Sequence, residues 1–380
     1  MKRVRKINLV YLFAFFGDAL FSPFIALYFI SIGFDDFQRG IILALIPLCT
    51  ILGNFVYGKI SGRLNRNIKL VRLLGLINSL VIGVFGFVTN FYLLIGLTVI
   101  FSLHNSPYFS LQDGVGVTFC EKEKKIYSFT RMFGSMGYCL ALILGSFIVD
   151  YFDYKFIFLI GAVFFLLINI PLLFIKGEEE EEENEKEKLS FSLLFSNFSF
   201  LKYFAFYLLV MGIWVVGESY ISTYFKSLEI KDSYYSLMSA LQVGVELIVI
   251  FLLSKFISSE KQYKTILFVS CLIVCLRYIL LGTNINGKVL IIITSILRGV
   301  GWGGFLSSHI PTLKKIIGIE LTPKAIAFLA LCTNLIGSIG NFVTPYIYTK
   351  LSFQLVYLIF GLIQLIGIFL LTRVKVSRGD

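Results

Sequence analysis

A chain of 380 residues that is 57% hydrophobic and only 15% charged is too apolar to be an ordinary globular domain in water. Its formal net charge of +11 must therefore be located along the chain before it is read as a nucleic-acid footprint. The two histidines and six cysteines show no metal-ligand spacing, so no metal and no cofactor are expected, and the cysteines read as reduced and structural.

Runs of about 20 apolar residues, the length that crosses a bilayer, recur along the chain. Twelve spanning helices are expected, over 7–33, 39–60, 68–89, 91–118, 128–149, 155–175, 201–225, 234–257, 265–283, 289–313, 325–348 and 355–372. Met1–Lys6 is basic, but the apolar run from Ile7 is long enough to span, so no cleavable leader is expected. One set of connections holds Arg39, Lys155, Lys226, Lys231, Lys288 and Lys350, while Arg277 and Arg298 lie within spans. The other 26 of the 34 lysines and arginines fall in the alternate connections and at the two ends. That asymmetry places both termini in the cytoplasm and makes the net charge a matter of topology. The expected surroundings are a lipid bilayer, and no nucleic acid. After the sixth run come Glu178–Glu183 and a mixed-charge stretch to Lys188, which cannot bury itself and reads as a solvated linker. The expected fold is an all-α membrane protein of two six-helix bundles, 1–176 and 201–380, joined by an acidic cytoplasmic linker at 177–200.

Asp18, Glu218, Glu246, Arg277 and Arg298 sit well inside spans, and Arg131, at the start of the fifth, joins them to make three acids and three arginines. Unpaired, they would cost on the order of 15–20 kcal/mol, so they are expected to pair or to line a polar cavity. Helical spacing puts Arg131, Gly134, Ser135 and Tyr138 on one face. It likewise aligns Trp214 with Glu218, Gln242 with Glu246, and Arg298 with Trp302, Phe305 and His309. Asn334, Ser338 and Asn341 form an uncharged stripe of the same kind. Aromatic rings beside hydrogen-bonding groups suit a small polar ligand with an apolar face. His104 and His309, each in the fourth span of its half, are protonatable or else hydrogen-bonded packing residues.

The stretch Gly58–Arg66 resembles the Gly-x-x-x-Asp-Arg-x-Gly-Arg inner-gate loop of the major facilitator superfamily. Gly58, Arg63 and Arg66 match, and Gly62 stands where the aspartate belongs. Arg131–Tyr138 is similar to the Arg-x-Phe/Trp-Gly-x-x-Gly-aromatic signature of the lactose-permease and nucleoside–proton-symporter branch. Ser106, Pro107 and Asp113 resemble that branch's fourth-helix pattern, whereas Ser110 and Gly301 replace acids that lactose permease carries.

The resemblance implies that Arg131 contacts substrate and that Tyr138 supplies a stacking ring. Asp18, Trp302, Trp214, His104 and Asn334 complete the candidate substrate-binding set. Glu246, Glu218, Arg277, Arg298 and His309 form the candidate proton-coupling set, with Glu246 and one arginine foremost. The expected function is proton-coupled symport of a small polar solute, of the sugar or nucleoside class, by alternating access. The chain is expected to work as a monomer in a bacterial cytoplasmic membrane. Proton-driven efflux of drugs or sugars, a non-transporting sensor and a membrane-embedded transferase are the alternatives. For the transferase, Asp35-Asp36 and Asp150/Asp153 lack supporting spacing, so no enzyme is expected.

Overall fold

The computed structural model describes residues 3–175, 192–257, 262–283 and 287–375. These residues are helical, with no strand among them. The backbone can therefore satisfy its hydrogen bonds within each segment, as hydrocarbon demands. Two compact units emerge, one holding the described residues up to 175 together with 231–240, the other holding the rest.

The first unit begins with α1 (Arg3–Ala19) and α2 (Ile25–Ser31), which the sequence reads as one span. Pro23 separates them: it has no N–H to offer Ala19, so the helical ladder lapses just after Asp18. Next come α3 (Asp36–Ile60), α4 (Leu64–Phe85), α5 (Phe91–Lys122), α6 (Tyr127–Val149), α7 (Tyr154–Leu167) and α8 (Asn169–Leu173). Caps fix the starts. Asp35 and Gln38 form a reciprocal capping box on α3, and the Asn90 side chain accepts from the amides of Tyr92 and Leu93 on α5. Small residues set the packing of α1 on α6. A side chain at Gly137 would collide with the Leu12 carbonyl, and a Cβ at Gly134 would meet the Phe15 ring at 2.7 Å. The start of α12 joins this unit because the Ser236 hydroxyl donates to the Leu142 carbonyl at 2.7 Å and the Tyr154 hydroxyl donates to Asp232.

The second unit contains α9 (Ser192–Phe195), α10 (Phe198–Tyr207), α11 (Ile213–Ser227), most of α12 (Asp232–Phe256), α13 (Gln262–Leu281), α14 (Gly287–Ile317), α15 (Thr322–Lys350) and α16 (Phe353–Thr372). Asn197 caps α10, and Ser352 caps α16. A π-helical turn at Leu208–Gly212 joins α10 to α11 and resets the register just ahead of Trp214 and Glu218. Gly318, at φ 82°, ends α14 in the left-handed conformation that glycine adopts freely.

Ten described helices are long and apolar enough to cross a membrane, α7–α8 and α10–α11 each counting as one. The two further expected spans are present as helix: 3–31 is broken near its middle, and α5 carries Asn105, Gln112 and Asp113 among its apolar residues. Outward faces are apolar, with Leu80, Phe147 and Ile339 each about two-thirds exposed, as lipid-facing side chains should be. The six cysteines are unpaired. The glutamate run 178–183 lies outside the described residues.

Candidate functional site

In the second unit four charged residues from four helices meet. The Arg277 guanidinium, with no exposed surface, pairs with Oε1 of Glu218. Nη1 of Arg298 donates to Oε2 of Glu246 at 2.9 Å, and its Nε lies 3.9 Å from the other oxygen of Glu218. The Tyr278 hydroxyl adds a 3.4 Å hydrogen bond to Glu218. Each buried cation is thus matched by an acid, which offsets the desolvation that makes lone charges costly. Arg277 belongs to Glu218, so Glu246 takes Arg298, one of the two partners the sequence left open.

Glycines on α14 make this convergence possible. Gly299 and Gly303 abut the backbone of α12, where a Cβ would lie 2.6 Å from the Gln242 carbonyl and 2.9 Å from that of Glu246. Gly301 and Gly304 abut α13 at Val274 and Ser270. With α12 and α13 this close, Arg298 reaches Glu246, and a Cβ at position 301 would meet a Val274 methyl at 2.7 Å and the Ser270 carbonyl at 3.1 Å. The acid that lactose permease carries there has no steric equivalent in this chain.

Aromatic rings continue from the ion pairs. Trp214 and Trp302 stack at 4.9 Å with 7° between their planes, and the Arg298 guanidinium lies 5.8 and 5.9 Å from their centroids. Trp302 also stacks on Phe305, Phe305 on His309, and the Tyr203 hydroxyl hydrogen-bonds Nδ1 of His309 at 2.6 Å. His309 is therefore held inside an aromatic column, away from the acids. Asn334 on α15 is half-buried and hydrogen-bonds to no described residue, whereas the backbone carbonyl of Asn341 accepts from Tyr220.

In the first unit the two charges expected to pair or to line a polar cavity, Arg131 and Asp18, are held by uncharged neighbours among the described residues. Arg131 on α6 lies over the Phe15 ring at 4.2 Å, and no described carboxylate is within ion-pair distance of it. Phe15 in turn stacks on Tyr11 and packs against Phe109. Asp18 accepts from the Ser22 hydroxyl at 2.8 Å and from Nδ2 of Asn105 at 3.2 Å, and Asn78 donates to Asn105 at 3.1 Å. Towards the Lys122 end of α5, the Tyr11 hydroxyl donates to Asp113 at 2.7 Å and contacts the Tyr127 hydroxyl. Tyr138 is half-buried on the same helix as Arg131. His104 uses a ring nitrogen on the Ile100 carbonyl of its own helix and packs edge-on against Tyr57.

Phe15, Ser22, Asn78, Asn105 and Tyr278 escape the sequence reading. Tyr11, Phe15, Asp18 and Ser22 have the 0, 4, 7, 11 spacing that marks α14, so periodicity alone could have found three of α1's contacts. In the loop between α3 and α4, the Gly62 amide donates to Oδ1 of Asn67, the Gly58 carbonyl accepts from Ser61, and Arg66 reaches the Ile60 carbonyl. Arg63 is the exposed N-cap residue of α4.

The fold is shared with solved transporters. The crystal structure of a nucleoside transporter, NupG, superposes with a TM-score of 0.80 at 16% identity, covering 100% of each chain. A D-xylose–proton symporter gives 0.74 at 15% identity, with 99% of this chain and 98% of that one covered. Among curated proteins, an uncharacterized transporter of Bacillus subtilis (strain 168), YwbF, is 23% identical over 360 residues, 94% of this chain and 90% of the relative. The profile of the MFS_1 like family matches residues 4–359. The chain therefore belongs to the MFS_1 like family and is a multi-pass membrane protein of the secondary-transporter kind.

Proposed function

We propose that this chain is a proton-coupled symporter of a small polar solute, of the sugar or nucleoside class, working by alternating access. It acts as a monomer in a bacterial cytoplasmic membrane with both termini inside, an orientation that rests on the lysine and arginine asymmetry. Residues 1–176 and 201–380 are its two bundles and 177–200 its linker. The observation that carries the reading is the Arg298–Glu246 pair at 2.9 Å, beside the Arg277–Glu218 pair and the stacked tryptophans, all within spans.

A carboxylate that holds an arginine by charge releases it when protonated. Proton binding at Glu246 would free Arg298 to turn to Glu218 alone and shift the balance between two conformations. Glu246 and Glu218 keep 14% and 24% of their side-chain surface, whereas Arg277 keeps none, which makes the acids the members of the network a proton would reach first. Arg131 and Tyr138 hold the solute, and half-buried Trp302 adds contact surface. Asp18, Trp214, His104 and Asn334 remain assigned to solute recognition, and Gly58, Arg63 and Arg66 to the inner gate. The solved neighbours, one a nucleoside transporter and one a xylose–proton symporter, support this choice of solute class.

The test has two steps. Sugars and nucleosides are screened against the purified protein by thermal shift, and the stabilising solute is then offered to vesicles under an imposed pH gradient. Glu246→Gln is expected to equilibrate the solute without accumulating it. Accumulation as strong as wild type would remove Glu246 from coupling.

A further inference from the structure

Asp18 presents a charge problem that the acid–arginine network of the other unit does not touch. It sits midway along the first span, and no described lysine, arginine or histidine forms an ion pair with it. The nearest cation along its helix face, Arg131, is held over Phe15 one turn earlier. An unpaired carboxylate at that depth is neutralised either by a proton or by a cation from outside the chain.

What surrounds Asp18 is oxygen-rich and drawn from three helices. Only one carboxylate oxygen, Oδ1, is engaged, by Ser22 and Asn105. Asn105 connects to Asn78, which is fully buried and whose Oδ1 has no hydrogen-bond partner. Ser102, one turn before Asn105 on the same face of α5, is also buried with an unpartnered hydroxyl oxygen. Orphaned buried acceptors are uncommon and call for an explanation.

The backbone adds to the set. The Ser22 amide returns to Asp18, Pro23 has no amide, and the Phe24 amide goes to the Phe21 carbonyl. The carbonyls of Ala19 and Leu20 are thereby left without a helical donor in the turn that carries Ser22. A broken membrane helix with freed carbonyls beside a carboxylate is the kind of place where a transporter coordinates a hard monovalent ion. Carboxylate, carbonyl, amide and hydroxyl oxygens suit such an ion, and no thiolate or imidazole competes.

We propose that the break after α1 is a sodium site, with Asp18 and Ser22 as first ligands and Asn105 turning its amide oxygen inward when the ion binds. Asn78 orients Asn105. A proton would need only one acceptor, whereas a sodium ion would use the several acceptors that stand unpartnered on the elements carrying Asp18, Asn78 and Asn105. The site goes beyond the proposed symport, and its test needs neither solute nor gradient.

Full-length protein purified in detergent is heated at fixed pH and ionic strength while NaCl replaces choline chloride. The unfolding midpoint is expected to rise saturably with Na⁺, and Asp18→Asn is expected to abolish the rise. Asn78→Ala is expected to need about tenfold more Na⁺ for the same shift, the usual cost of losing an orienting partner. Ser22→Ala keeps the carboxylate, and its half-saturating Na⁺ should also increase. If Asp18→Asn does not fold, these two variants carry the test. Equal midpoints in the two salts, a response that survives in Asp18→Asn, or unchanged half-saturation in both other variants would overturn the site. So would stabilisation that follows pH with no preference for Na⁺, because a proton would then be the ion held there.

Discussion

Glu218 and Glu246 each meet an arginine from another helix, whereas Asp18 and Arg131 share one end of α1's polar face without meeting. In the second unit attraction between opposite charges offsets desolvation. In the first, a cation rests on an aromatic ring and an acid rests on hydroxyl and amide donors. A network neutral within itself can be permanently assembled and then perturbed by one proton. Among the described residues the acid is held by neutral donors and the cation by a ring, which leaves both open to a charged or polar guest. The difference points to division of labour between the units.

The sharpest break in that comparison is Arg277→Ala. It should leave Glu218 without its fully buried partner and destabilise the protein by about 3–5 kcal/mol, read as a lower unfolding midpoint in detergent. The double variant Glu218→Gln/Arg277→Gln should recover most of the loss; if it does not, the pair is not a mutually dependent unit. Helix packing separates the units next. Gly137→Ala drives a methyl group onto the Leu12 backbone and should cost about 1–3 kcal/mol. Gly304→Ala clashes with the Ser270 side chain, its hydroxyl first and its Cβ at 3.2 Å, so adding Ser270→Gly should rescue Gly304→Ala, while no single side-chain change rescues Gly137→Ala.

Smaller effects sharpen the roles. His309→Gln gives up the Tyr203 hydrogen bond and should cost about 1 kcal/mol. The pH dependence of uptake should not change, because the ring is committed to the aromatic column; a shifted profile would instead support a proton-coupling role for His309. Smallest in stability is Phe15→Leu, which removes the ring beneath Arg131 and should cost about 0.5–1 kcal/mol. Solute affinity should fall more than stability does, which an uptake titration would detect. An effect confined to stability would make the ring a packing element only.

Much of the fold is legible because membrane helices announce themselves by local composition. The break at Pro23 goes unread: the missing amide is a property of that one residue, but the apolar run around it reads as a single span. Site membership is harder. Arg298 with Glu246 was one of two possible pairings, and nothing local to either helix selects it. Gly299 and Gly303 select it by bringing α12 close, and Gly301 excludes an acid because α13 occupies the space. Likewise, six charges balance as a total, but balance says nothing about which partners meet. Arg131 met a phenylalanine.

Composition and the placement of lysine and arginine were enough to establish a polytopic helical membrane protein and which residues carry charge into it, because the free energy of leaving water is local to each segment. Tertiary structure alone decided which acid holds which arginine, that Asp18 forms no ion pair among the described residues, and that His309 lies among rings, because those outcomes depend on distances between helices far apart in the chain. Such distances are set by how closely small residues let backbones approach, a property of pairs of surfaces rather than of any one stretch.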